Sequence, residues 1–70
     1  MKKLRAMRQY WIPTSKGIGF QLGKVLDVIE DTGGEYGQYT VLDPDSRLLF
    51  VIDKIDAHPD TSIRYFEVFE

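Results

Sequence analysis

Between residues 18 and 31 the apolar positions fit two periods at once. Ile18, Leu22, Val25, Leu26 and Ile29 recur at i, i+4, i+7, i+8 and i+11, a stripe of helical spacing. Thr14 or Ser15 would cap such a helix and Gly33-Gly34 would end it. That reading places Gly19 and Gly23 inside the helix at a cost of about 1 kcal/mol each relative to Ala, and it turns Phe20 and Val28 away from the stripe. A strand reading needs no such exceptions. In GKVLDVIED, Val25, Asp27 and Ile29 alternate with Leu26, Val28 and Glu30. TGGEYG then supplies glycines for positive φ in a turn before QYTVLD. The strand is preferred. The alternative is an α+β fold with a helix at about residues 16–31 packed on an antiparallel sheet.

Elsewhere the pattern is less divided. RQYWIP reads as a strand closed by Pro13, and YTVLD and RLLFVIDKI flank PDS, where Pro44 presets φ and Asp45 and Ser46 can bond nearby amides. AHPDTS reads as a second turn and SIRYFEVFE as a closing strand. Short strands at such even spacing predict a single all-β domain over residues 1–70, a small barrel or curled sheet of five or six strands. The basic residues 1–9 are expected to form a flexible leading segment.

Composition narrows the supports available to this fold. A 70-residue chain buries only about 60% of its unfolded surface. With no cysteine and one histidine, disulfides and thiolate or His-rich metal sites are excluded. One Trp, four Tyr and four Phe remain to build the core. No apolar run approaches the roughly 20 residues of a membrane-spanning helix, and MKKLRAMRQYWIP has no apolar stretch of signal-peptide length. A soluble, cytoplasmic protein without cofactors is expected. Charge is divided along the chain: Lys2, Lys3, Arg5, Arg8, Lys16 and Lys24 precede residue 25 with no acid among them, and all 11 acids follow it. Such a split predicts either neutralisation across the fold or a basic end that steers charged partners.

LGKVLDVIEDTGGEYGQYTVLDPDSRLLFVI resembles the core of the PRC-barrel family. Leu22-Gly23-Lys24-Val25, Asp27-Val28, Thr40-Val41 and Arg47-Leu48-Leu49 occupy the places of its short motifs, over about residues 10–55. Val51-Ile52-Asp53 continues where the family has a proline. The resemblance implies a small SH3-like barrel that serves as a protein-binding module, and it implies no catalysis.

Sites of chemistry are sparse. Gly17 and Gly19 begin a G-x-G, but Leu22 stands where a dinucleotide loop needs its third glycine. DPDSRLLFVIDK starts like a calcium loop and then places Leu48 at the glycine position and Lys54 at the glutamate position. His58, before Pro59, has no nucleophile or second histidine in pattern with it. Asp27, Glu30 and Asp31, or Asp53 and Asp56, could form an acid/base pair, but an enzyme is not expected. Lys2, Lys3, Arg5 and Arg8, next to Tyr10 and Trp11, form the best nucleic-acid candidate. SIRYFEVFE carries aromatics on both faces, which marks it as a two-sided strand or as an edge that pairs with another chain. The expected function is a non-catalytic protein-binding adaptor or regulatory module, with homodimerisation plausible and Tyr10, Trp11, Tyr65, Phe66 and Phe69 as contact residues. Alternatives are a nucleic-acid-binding barrel that uses the basic segment, and a small acidic inhibitor of a host or nucleic-acid-binding protein.

Overall fold

A computed structural model describes residues 1–12, 17–60 and 62–70. Pro13, Thr14, Ser15, Lys16 and Thr61 lie outside these, so the expected strand terminator and the candidate helix caps are not placed. The chain forms β1 (Lys3–Ala6), β2 (Tyr10–Trp11), β3 (Gly19–Phe20), β4 (Val25–Thr32), β5 (Gln38–Leu42), β6 (Leu49–Asp53) and β7 (Phe66–Phe69). Single 3-10 turns occupy Gly34–Tyr36 and Lys54–Ala57. There is no α-helix among the described residues, and none long and apolar enough to cross a membrane. The helix at 16–31 gives way to β3 and β4, with Gly23 at φ 89° in the turn between them, a conformation the interior of a helix does not allow.

Five strands form one antiparallel sheet in the order β6-β5-β4-β1-β7, and β2 and β3 form a separate hairpin. The sheet is not closed into a barrel, because β6 and β7 are both edges. Between them the chain turns through Lys54–Ala57 instead of pairing, while the β2-β3 hairpin covers the open side of the core. A second correction concerns the basic segment. Residues 3–6 are the strand beside the sheet's centre, because Leu4 and Ala6 point inward while Lys3 and Arg5 point out.

The inner face carries Leu4, Ala6, Leu26, Val28, Tyr39, Val41, Ile52 and Phe66, and the hairpin lays Tyr10, Ile12 and Phe20 over it. Phe20 meets Phe50 edge-on at 5.3 Å and Tyr10 meets Phe66 at 4.9 Å, geometries favoured by the ring quadrupole.

β4 does not alternate cleanly along its length. Its register with β5 shifts between Val28 and Glu30, so Ile29 is the extra residue of a bulge and stands exposed. Beyond the bulge the phase reverses, and Asp31 pairs with buried Tyr39 instead of facing out. Lys54, only 9% exposed, bonds Asp31 there, and Lys2 joins it at 2.9 Å. Both ammonium groups sit by the Tyr39 ring, 5.0 and 5.5 Å from its centroid.

A pH dependence follows from two carboxylates. Lys54 and then Lys2 hold Asp31 below the usual carboxylate range. Burial pushes Asp43 up, but Lys24, the Asp45 N–H and Ser46 together outweigh it and leave Asp43 lowered as well. Depressed groups contribute stability that is fully present above their unfolded pKa, about 3.9, and is lost as pH falls through the folded values. Thermal melts should therefore hold steady from about pH 5 to 8 and drop in Tm below about pH 4. Asp31→Asn should flatten that acid limb, and a limb of unchanged steepness would show that Asp31 does not carry it.

Candidate functional site

The hairpin's outer strand and the chain entering β7 enclose a groove of about 340 Å³ lined by Gln9, Tyr10, Trp11, Asp56 and Tyr65. Each wall has a local cause. Trp11 pairs with Gly19 across the hairpin, and its indole lies where a Gly19 side chain would be, since a Cβ there would come 2.8 Å from Trp11 Cε3 and 2.6 Å from the Tyr10 carbonyl oxygen. Glycine at 19 thus seats the indole on backbone while leaving Trp11 59% exposed. Alternation along β2 turns Tyr10 the other way, into the core.

Tyr10 reaches through to the groove with its hydroxyl, which donates to Asp56 Oδ2 at 2.9 Å. Burial first, then this bond, pushes the phenol well above its ordinary pKa. The phenol therefore stays protonated and keeps donating to the Asp56 carboxylate at the groove wall. Tyr65 stands edge-on to Tyr10 at 5.1 Å. Its backbone is clamped on both sides, since Tyr65 N–H donates to Asp56 O at 2.8 Å and Met7 N–H donates to Tyr65 O at 2.7 Å. The Arg8 guanidinium already lies over the Tyr65 ring, 5.5 Å from its centroid. The Trp11 indole, the Tyr65 phenol and the Asp56 carboxylate, brought to one groove, can take a cation: the two rings offer their negative faces and Asp56 the countercharge.

Of the expected contact residues, Tyr10, Trp11 and Tyr65 come together here. Phe66 is fully buried at the centre of the core. Phe69 lies on the opposite face of the sheet beneath the Arg5 guanidinium, 4.3 Å from its ring centroid. Sequence reasoning missed Gln9, and it weighed Asp56 only as half of an acid/base pair. The signal for Asp56 lay in contacts 46 residues apart, which no local pattern carries.

The basic residues are mostly engaged. Lys2 bonds Asp31, Lys3 lies 3.9 Å from Asp27, and Arg5 bonds Glu67 at 2.5 Å. The two ends of the charge split thus neutralise each other across the sheet. His58 is half-buried, accepts the Asp60 N–H at Nδ1 and faces Glu35 through Nε2 at 2.6 Å. A smaller cleft of about 270 Å³ beside it includes Lys2, Asp31, Lys54 and Tyr39, and there the two lysines are already paired with Asp31.

Compared with protein-family models, curated proteins and solved structures, this chain matches none of them.

Proposed function

We propose that this protein is a non-catalytic protein-binding module whose ligand is a peptide segment bearing a basic side chain, received in the Tyr10–Trp11–Tyr65–Asp56 groove. The observation that carries this is the exposed indole of Trp11, laid against Gly19 and sharing a groove of about 340 Å³ with the Asp56 carboxylate. A tryptophan brings a large contact area with only two side-chain torsions to order, which is what makes such residues anchors. Arg8 over Tyr65 acts as an internal occupant that an incoming cation displaces or joins. The strand order, the hairpin between β1 and β4 and the 3-10 turn before β7 support an SH3-like arrangement left open, in keeping with the PRC-barrel resemblance. The ion pairs made by Lys2, Lys3 and Arg5 weigh against the nucleic-acid reading, because those charges are already spent on acids of the same chain.

Trp11 is the single tryptophan, so its emission reports on the groove directly. Titration with a capped tetra-arginine peptide should shift that emission saturably, and a capped tetra-glutamate peptide should not. By calorimetry, Trp11→Ala and Asp56→Asn should each weaken binding about tenfold or more, a loss of at least about 1.4 kcal/mol. Equal response to both peptides, or variants that bind as well as the parent, would defeat the proposal.

A further inference from the structure

We propose that β6 is a self-association edge, through which two copies of this chain pair β6 to β6, antiparallel, about a two-fold axis at Phe50.

The direction of the free backbone groups follows from the ends of the strand. Leu48 O accepts the Asp43 N–H at 3.0 Å and Lys54 N–H donates to Gly37 O at 2.9 Å, so residues 48, 50, 52 and 54 turn their amides toward β5. Alternation along an antiparallel ladder then turns the amides of Leu49, Val51 and Asp53 outward. The side chains of Leu49 and Val51 are 58% and 54% exposed. From Leu48 to Ile52 the strand is apolar throughout, with no charge, proline or glycine to blunt the edge. The other edge, β7, is protected differently, with Glu67 bonded to Arg5 within its short span.

Charge selects both the occupant and the register. An antiparallel pair centred on Phe50 sets Leu49 opposite Val51 of the second copy, and Val51 opposite its Leu49, each pair able to exchange both backbone bonds. The same register carries the turn that holds Arg47, two residues before the strand, to the end of the second copy's strand where Asp53 stands, within reach of a long side chain. A pair centred one residue later would set Leu49 against a carboxylate and Arg47 against Ile55. The Phe50 register is thus self-complementary in shape and in charge, as an isologous interface requires.

Arg47 marks the beginning of that edge. It is the one non-glycine residue with positive φ among the described residues, at 63°, in the last position of the Asp43–Leu48 turn. Asn or Asp adopts that conformation more readily. The turn sets Arg47 at the end of the edge, beside the strand a second copy would pair with.

Sedimentation equilibrium from micromolar to high micromolar concentration should show a reversible dimer. Arg47→Asp suits the left-handed position, and Asp53→Arg lies on the exposed edge, so both variants should fold as the parent does by circular dichroism. Each alone should weaken the dimer about tenfold or more by opposing like charges. The double reversal R47D/D53R should restore it, since the pair is recreated with its signs exchanged. Val51→Lys should leave a folded monomer. A parent that is monomeric throughout would overturn the proposal, as would masses that grow without limit or a double reversal no tighter than the single variants.

Discussion

Gly37→Ala should fail to reach the native fold at 25 °C, showing disordered far-UV circular dichroism where the parent shows strand. Gly37 closes the turn from β4 into β5, with its N–H donating to Gly34 O at 3.2 Å and its carbonyl accepting from Lys54 at 2.9 Å. Its φ of −86° is negative, so the objection is not a left-handed backbone. A Cβ at this position would overlap the Thr32 carbonyl oxygen and lie 2.6 Å from both Cα and the carbonyl carbon of Gly33. All of these are backbone atoms, and no rotamer can relieve them. Relief requires moving the end of β4, which carries Asp31 and its two lysines. Overpacking in a core costs about 1–3 kcal/mol when side chains can adjust, and more when they cannot. A 70-residue domain has roughly 4–10 kcal/mol in all. The control is Gly34→Ala, where φ is 63° but the added carbon meets nothing within 4 Å. That variant should lose only about 1 kcal/mol and still melt cooperatively. If G37A and G34A melted together, the crossing of chain at Thr32–Gly37 would not be as described.

Phe66→Ala should be nearly as damaging, at about 3–5 kcal/mol. The ring is fully buried, meeting Tyr10 at 4.9 Å and Phe20 at 6.4 Å. Its removal leaves a cavity where the hairpin, the sheet and the approach to β7 meet, so the groove should loosen together with the core. Phe69→Ala, three residues on and on the other face, should cost about 1 kcal/mol, chiefly the contact with Arg5. Urea titrations of the two variants separate the positions, and equal midpoints would contradict the placement of Phe66.

The closing aromatics show what was legible in the sequence. Alternation correctly divides Phe66 from Phe69, but it does not say which face has a core behind it. That is decided by β2 and β3, whose Tyr10 and Phe20 rings cover one side only. The strand at 25–32 could be read because glycines on either side exclude a helix. Its bulge at Ile29 could not, since an extra residue looks locally like any other and shows only in the partner's register. Lys3–Ala6 went unread for a different reason: four residues alternating charge with small apolar groups resemble a solvated tail unless β7, far along the chain, is set beside them. Likewise Tyr10 and Trp11 stand out in the sequence as an aromatic pair beside bases, while Asp56, which meets Tyr10 from 46 residues away, does not.

The position of β1 also has a consequence in time. Its neighbours are β4 and β7, and its Arg5 bonds Glu67, 62 residues away. During synthesis at about 5–20 residues per second, roughly 3–12 s separate the appearance of Arg5 from that of its last partner. Until then Leu4 and Ala6 can pair only on one side, and the nascent chain cannot complete its core however soon the β4-β5-β6 meander forms. Sheets of such long-range pairing fold in roughly milliseconds to seconds once whole, so translation rather than folding sets when the native state first exists. A ribosome stalled before β7 would hold out a meander with an uncovered strand beside it, the state most open to chaperones and to wrong partners.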